Sequence, residues 1–214
     1  MEISAPAQWI NQTFAGFDVS FTTAVHKLYE IGGAFFTPFF EGISFIGKGG
    51  ICLIIMSLLL MLYRPTRRFG TAMCLGLAIG AVVTNLIIKP WVARPRPYVD
   101  QSSIFYQYWL QVGQNVESDK SFPSGHTTAA FDCMTPVFIL GNKRLKALAL
   151  TFAILMGIAR IYLCVHFPSD VLGGMIVGIL AGILAVLIAK KLPQAWYEWE
   201  FRKKEVQTGK HEIH

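Results

Sequence analysis

Long runs of apolar residues are the feature that most limits how this chain can fold. Five segments approach the roughly 20 apolar residues that a helix needs to cross a bilayer. They cover residues 47–63, 69–88, 126–140, 145–165 and 171–189. A sixth segment, residues 21–46, carries His26, Lys27, Glu30 and Glu41, and it could span the membrane or lie partly in the interface. The pattern predicts an all-α bundle of six transmembrane helices, or of five if that segment is interfacial.

The charge content indicates a single membrane-embedded unit. Of the 214 residues, 53% are hydrophobic and only 15% are charged, whereas a soluble domain carries roughly 25% charged residues. The length leaves little room for a second domain. We therefore expect one membrane domain over residues 1–192, followed by an aromatic and basic tail over residues 193–214 on the cytoplasmic side.

Basic residues concentrate in three places that alternating spans would put on one side of the membrane. They are Arg64, Arg67 and Arg68 in one connection, Lys143, Arg144 and Lys146 in a second, and Lys190, Lys191, Arg202, Lys203, Lys204 and Lys210 towards the C-terminus. Positive charge in short loops marks the cytoplasmic side, so the net charge of +6 is mostly a topology signal. Basic residues divided among such loops do not form a nucleic-acid surface, and we expect no nucleic acid partner.

Three polar clusters fall together on the opposite side of the predicted bundle. They are residues 89–97 (KPWVARPRP), residues 123–126 (PSGH) and residues 160–170 (RIYLCVHFPSD). Together they supply four cations, two histidines, a carboxylate and a small-residue turn, which is a mixture suited to an anion with several oxygens. Ionisable groups at the edge of a membrane are costly, and this makes a functional role the default hypothesis.

Two of the clusters begin predicted helices. Pro123 favours a first helical turn, where free N–H groups attract phosphate and Gly125 allows close approach of an anion. Pro168 marks the second start, with Asp170 in its first turn. A carboxylate that binds one imidazole nitrogen leaves the other free as a nucleophile, which would suit His166. Taken singly, each cluster is also compatible with a helix cap or a structural histidine.

The cations complete this hypothesis. Arg160 ends the helix before the third cluster and can donate two parallel hydrogen bonds to phosphate. Lys89 ends a span, and two prolines stiffen the run that carries Arg94 and Arg96. Basic residues that merely anchor the protein at the interface are the alternative for this cluster alone. The agreement of all three clusters on one face favours a phosphate site.

The clusters resemble the motifs of the type-2 phosphatidic acid phosphatase superfamily, which includes bacterial undecaprenyl pyrophosphate phosphatases and vanadium haloperoxidases. The family pattern is Lys, six residues, Arg-Pro; then Pro-Ser-Gly-His; then Ser-Arg, five residues, His, three residues, Asp. Lys89 and Arg96 keep the first spacing, and Arg160, His166 and Asp170 keep the third. The resemblance covers about residues 89–170.

Two positions depart from the family pattern. Ala159 stands where the family usually has Ser; the resemblance implies a supporting role for that Ser, so we expect its absence to affect the fine tuning of the site more than its activity. Arg94-Pro95 is a second Arg-Pro at the wrong spacing and leaves open which arginine binds phosphate.

The resemblance implies a metal-independent phosphatase that needs no cofactor. His166 would attack phosphorus to form a phosphohistidine, Asp170 would orient His166, and His126 would protonate the leaving oxygen. The implied phosphate-binding residues are Lys89, Arg96, Ser124, Gly125 and Arg160.

The substrate implied is a phosphorylated membrane lipid. The leading candidate is undecaprenyl pyrophosphate, hydrolysed to undecaprenyl phosphate and phosphate at the outer face of a bacterial cell membrane. Phosphatidylglycerophosphate or phosphatidate is the alternative, because the apolar residues that would contact the lipid tail are generic. A transporter that binds lipid phosphate without hydrolysis is an alternative of another class. The intact pair His166 and Asp170, together with His126, argues against it, and oligomeric state stays open.

Asp132 is an acid within a predicted span. It could pair with a bundle residue such as Asn85, face a polar cavity, or serve only as a capped structural acid.

Overall fold

A computed structural model describes residues 3–198. The regular secondary structure of these residues is helical, with no β-strand among them. The helices are α1 (Ala5–Gly47), α2 (Ile51–Leu62), α3 (Arg67–Ala81), α4 (Lys89–Val92), α5 (Ile104–Gln111), α6 (Gly125–Leu140), α7 (Lys143–Tyr162), α8 (Pro168–Lys191) and α9 (Gln194–Glu198). A π-helical segment, Val82–Ile88, joins α3 to α4. The predicted all-α class is confirmed.

Within the described range, four helical stretches are long and apolar enough to cross a membrane. They are Ala5–Leu62, Arg64–Val99, Lys143–Tyr162 and Pro168–Lys191. The predicted count of six spans is not confirmed. Residues 21–46 and most of residues 47–63 fall in the stretch Ala5–Leu62, which is longer than one span and is divided into α1 and α2 at Gly49 and Gly50. Helix α6 has only 16 residues and is not among the four stretches; it packs against α3, α7 and α8.

Helix α1 is a single element of 43 residues, bent at Gly32, whose φ of −170° and ψ of 55° are not helical. Its first half lies across the end of the bundle that holds the motifs. Its second half follows α7, where Thr37 Oγ1 and Tyr162 Oη are 2.8 Å apart. Gly49 and Gly50, with φ of 59° and 68°, then turn the chain into α2. Left-handed angles of this kind favour glycine, so the break between α1 and α2 is encoded locally.

Glycines allow α6 to pack tightly between its neighbours. A Cβ atom on Gly76 of α3 would lie 2.6 Å from the backbone oxygen of Asp132. A Cβ atom on Gly178 of α8 would lie 2.7 Å from the backbone oxygen of Thr128. Small residues at these positions let helix backbones approach closely within a membrane. This packing brings the first turns of α6 and α8 side by side at one end of the bundle.

The beginning of the predicted tail folds against the opposite end. Trp196 Nε1 donates to Thr71 Oγ1 at 3.2 Å, and Arg67 Nη1 donates to the backbone oxygen of Trp196 at 3.2 Å. The Arg68 guanidinium lies 5.1 Å from the ring centroid of Tyr197. Two of the basic regions are therefore adjacent, far from the motifs. The rest of the predicted tail, residues 199–214, lies outside the described residues.

Candidate active site

A cavity of about 390 Å³ opens at the motif end of the bundle. Five of the eight predicted site residues line it: Lys89, Arg96, Gly125, His126 and His166. The other three adjoin it. Asp170 lies behind His166, Ser124 precedes Gly125, and Arg160 lines a neighbouring cavity that it shares with His126. The structure therefore brings all three sequence clusters into one site.

The orientation of the His166 ring follows from its neighbours. Arg96 Nη1 lies 2.8 Å from His166 Nε2. A guanidinium can only donate hydrogen bonds, so Nε2 accepts this one with its lone pair. The ring proton is therefore on Nδ1, which lies 3.4 Å from Asp170 Oδ2. This tautomer leaves the nitrogen that faces the cavity unprotonated.

Asp170 is fixed by donors on either side. Ser121 Oγ donates to Asp170 Oδ2 at 2.5 Å, and the backbone N–H of Phe167 donates to the same oxygen at 2.9 Å. The carboxyl is fully buried, so its orientation is set by these bonds rather than by water. Sequence reasoning missed Ser121, although it stands two residues before the PSGH motif.

The electrostatic environment keeps His166 neutral. Burial lowers the pKa of His166 well below its ordinary value, and the positive charges of Arg96, Arg160 and Lys89 lower it further. At neutral pH the imidazole therefore carries no charge and retains a lone pair. A neutral imidazole is the form that can act as a nucleophile.

The two arginines of the first cluster have different positions. Arg96 reaches His166 in the cavity, as described above. Arg94 is 1% exposed and points away from the cavity: its Nη1 donates to Asp170 Oδ1 at 2.6 Å and its Nη2 to Asp18 Oδ2 at 2.9 Å. Arg96 therefore contacts His166 in the cavity and Arg94 contacts Asp170, so we expect Arg96 to be the arginine that binds phosphate.

Asp18 joins the N-terminal helix to this network, and sequence reasoning missed it. Its Oδ1 accepts from the backbone N–H of Ser169 at 2.8 Å, and its Oδ2 accepts from Ser169 Oγ at 2.7 Å. The sequence gives one sign that Asp18 has a special role, namely an acidic residue between Phe17 and Val19 in an amphipathic helix. No local pattern, however, identifies Ser169 as its partner, because Ser169 is 151 residues away.

Two acidic side chains from the loop before α6 lie against the site cations. Asp119 forms ion pairs with Lys89 and Arg96, and Glu117 forms one with Arg160. Partial burial disfavours ionisation of Asp119, but the two cations outweigh it and lower its pKa to about 2. Sequence reasoning also missed these two acids. A phosphate would compete with both carboxylates for these cations.

Ser124 is engaged by the fold rather than turned towards the cavity. Its backbone N–H donates to the backbone oxygen of Asp170 at 3.0 Å, and its hydroxyl caps α6. Helix α6 begins at Gly125, so the N–H groups of Gly125 and His126 have no partner within the helix. A Cβ atom on Gly125 would lie 3.5 Å from Lys89 Nζ. We therefore expect the N–H groups that face an anion to be those of Gly125 and His126.

Ala159, where the family pattern has Ser, is fully buried in an apolar cluster. Its neighbours there include Phe40, Tyr162 and Val165. Ala159 therefore contributes packing. The hydrogen bonds to Asp170 come from Ser121, the backbone of Phe167 and Arg94.

Comparisons with known proteins identify the family of this chain. The family model of the PAP2 superfamily matches residues 69–194. Phosphatidylglycerophosphatase B of Bacillus subtilis (strain 168) is 33% identical over 153 residues, covering 65% of this chain and 68% of that protein. An undecaprenyl-diphosphatase of Sulfolobus acidocaldarius is 27% identical over 140 residues, covering 65% of each protein.

A solved structure is similar over most of the chain. The crystal structure of a transmembrane PAP2-type phosphatidylglycerolphosphate phosphatase from Bacillus subtilis matches with a TM-score of 0.67 and 26% identity. The match covers 88% of this chain and 92% of that one. It therefore includes elements outside the residues that the family model matches.

Proposed function

This chain belongs to the PAP2 superfamily and is a membrane lipid phosphatase, and we propose that it releases phosphate through a phosphohistidine formed on His166. The observation that carries this proposal is the 2.8 Å contact between Arg96 Nη1 and His166 Nε2 beside a cavity lined by Lys89, Arg96 and His126, from which we infer an unprotonated Nε2. Phosphoryl transfer gains mainly from positioning and charge stabilisation, and this site supplies both.

In the first step, the bound phosphate draws Arg96 Nη1 away from His166 Nε2, and the freed lone pair of Nε2 attacks phosphorus while the bond from phosphorus to the lipid oxygen breaks. Asp170 faces Nδ1 and stabilises the positive charge that develops on the ring. Lys89, Arg96 and Arg160 bind the phosphate oxygens, aided by the N–H groups at the start of α6. No step requires a metal ion.

His126 is suited to the proton transfers. It protonates the leaving lipid oxygen in the first step. It then takes a proton from the water that breaks the phosphorus–nitrogen bond, which restores His166 and releases phosphate. Burial lowers the pKa of His126, and the surrounding cations lower it further, to about 2; we infer that the negative charge of the bound phosphate raises it again and so allows His126 to carry the proton.

Binding of phosphate requires the ion pairs that Asp119 and Glu117 form with the site cations to break. Asp119 is 48% exposed on its side chain, whereas its partners Lys89 and Arg96 are buried. The flexible, solvated partner is the one that moves at least cost. We therefore infer that Asp119 turns outwards when substrate enters.

The substrate is proposed to be a lipid phosphomonoester or pyrophosphate. Undecaprenyl pyrophosphate remains a candidate, supported by the relative from Sulfolobus acidocaldarius. Phosphatidylglycerophosphate is supported by the relative and by the solved structure from Bacillus subtilis, and phosphatidate is the third candidate. We propose that the site faces the extracytoplasmic side, since the basic connections occupy the other end of the bundle.

The decisive experiment compares two histidine variants of the purified protein in detergent. His166→Ala should release no phosphate from any lipid in a panel and should form no acid-labile phosphoenzyme. His26→Ala is the matched control, since His26 bonds to Gln111 away from the cavity, and it should keep both. Phosphate release by His166→Ala at the wild-type rate would exclude the phosphohistidine. Lipid phosphate binding without release by the wild type would instead indicate a transporter.

A further inference from the structure

The cavity of the phosphate site continues into the bundle between α2, α3 and α6. Its inner wall combines apolar side chains with a polar patch. The apolar residues include Ile54 and Leu77, and the polar patch comprises Thr84, Asn85, Thr128 and Asp132. Nothing in the proposed phosphoryl transfer uses this polar patch.

Asp132 is the unusual member of the polar patch. It is 1% exposed, and neither carboxyl oxygen has a hydrogen-bond partner within residues 3–198. The backbone N–H of Cys133 is the donor closest to an interaction with the carboxyl, but its distance and angle do not meet those of a normal hydrogen bond. Asn85, the partner that the sequence suggested, lines the same cavity without bonding to it. A buried polar group left unpaired is costly, so a purely structural role does not account for this residue.

The helix packing makes room for this carboxyl. A Cβ atom on Gly80 of α3 would overlap Asp132 Oδ2. An isolated ionised carboxylate is far more costly to bury than a neutral acid, so the side chain is present as the neutral acid. In that form it can both donate and accept a hydrogen bond.

The two threonines cannot donate to a ligand in the same way. Thr84 Oγ1 donates to Thr128 Oγ1 at 3.3 Å, and Thr128 Oγ1 donates to the backbone oxygen of Ser124 at 3.0 Å. Both hydroxyl protons are thus engaged, and the threonines are left as acceptors. The Asn85 amide can also donate, but Asn85 is exposed, so Asp132 is the buried donor of the patch.

The depth of Asp132 indicates which part of a lipid it would meet. Asp132 follows Gly125 by seven positions, which corresponds to about 10 Å along α6 at the helical rise. When a phosphate binds at the first turn of α6, the lipid atoms that approach this depth are those about six or seven bonds from phosphorus. In a diacylglycerol phosphate these atoms include the ester carbonyl oxygens, which are acceptors. In a polyprenyl chain they are hydrocarbon.

We propose that Asp132 donates a hydrogen bond to an ester carbonyl of the lipid and so selects glycerophospholipid phosphates over polyprenyl phosphates. This inference rests on the proposed phosphatase function. It assigns to Asp132 a role in specificity rather than in the transfer of phosphate.

The test measures kcat/KM for two phosphatidates that differ only in the linkage of their chains, dipalmitoyl (ester) and dihexadecyl (ether), in the same detergent micelles. Wild type should prefer the ester about tenfold, which is the effect of one hydrogen bond. Asp132→Ala should reduce the ester-to-ether ratio to about one. Asp132→Asn should keep a preference, because its amide still donates. Asp100→Ala changes an exposed acid and should keep the wild-type ratio.

The possible outcomes separate the two proposals. No phosphate release from either phosphatidate or from undecaprenyl pyrophosphate would overturn the proposed function. Release from undecaprenyl pyrophosphate but from neither phosphatidate would overturn only the role of Asp132. An equal kcat/KM of wild type for ester and ether would do the same, even if Asp132→Ala fails to fold. An equal loss on both phosphatidates in a folded Asp132→Ala sample would mark Asp132 as structural.

Discussion

The buried cluster around Arg94 allows a quantitative prediction. Arg94→Met keeps most of the side-chain volume but removes the cation between Asp18 and Asp170, both of which are almost fully buried. Removing one partner of a buried ion pair costs about 3–5 kcal/mol, because the other charge is left uncompensated. We therefore expect Arg94→Met to lower the free energy of unfolding by about that amount. Arg144→Met, on an exposed side chain at the start of α7, is the matched control.

The assay is unfolding of purified protein in mixed micelles by increasing SDS, followed by circular dichroism. Asp18→Asn removes one of the two stranded charges, so the double variant Arg94→Met/Asp18→Asn should be more stable than the sum of the two single effects predicts, by about 1–3 kcal/mol. If Arg94→Met unfolds at the same SDS concentration as Arg144→Met, or if the effects of Arg94→Met and Asp18→Asn simply add in the double variant, the cluster does not stabilise the protein in the way that we infer.

Two further predictions concern the loop acid and the helix contact. The ion pairs of Asp119 hold its folded pKa at about 2, below its ordinary value of about 3.9. Their stabilisation is therefore complete above pH 4 and disappears as the pH falls towards 2. Asp119→Asn should lower the Tm in detergent at pH 7 and leave it unchanged at pH 2; an equal shift at both would contradict this. Gly80→Ala should destabilise the protein by about 1–3 kcal/mol through overpacking against Asp132. Gly80→Ala/Asp132→Ala should recover most of that loss, and a double variant as unstable as Gly80→Ala would contradict the contact.

The residues that the motifs predicted and those that they missed differ in how their positions are determined. Lys89, Arg96, His126 and His166 stand at helix ends or next to them, and short spacings along the chain place them. Asp18 and the two loop acids reach the site only through tertiary packing. No local pattern encodes such a partner, so a single sequence could not reveal it.

The number of spans was harder to predict for a related reason. Hydropathy detects apolar composition, but it does not show that residues 5–47 form one bent helix whose first half runs across the bundle end. Nor does it show that α6 is short and enclosed by other helices. Both features depend on contacts such as the one between Thr37 and Tyr162. The helical class was predictable because it follows from composition and from the chemistry of the bilayer.

The bonds between Asp18 and Ser169 have a consequence for biosynthesis. Ser169 follows Asp18 by 151 residues, so the first helix emerges from the ribosome long before its partner does. Until α8 enters the membrane, Ser169 is not there to bind Asp18, and Arg94 is not yet held in place by Ser169 and Asp170. Asp18 must therefore remain hydrated at the membrane surface. The order of translation therefore makes closure of the N-terminal helix a late event in folding. The reaction centre can become complete only when the last long helix arrives.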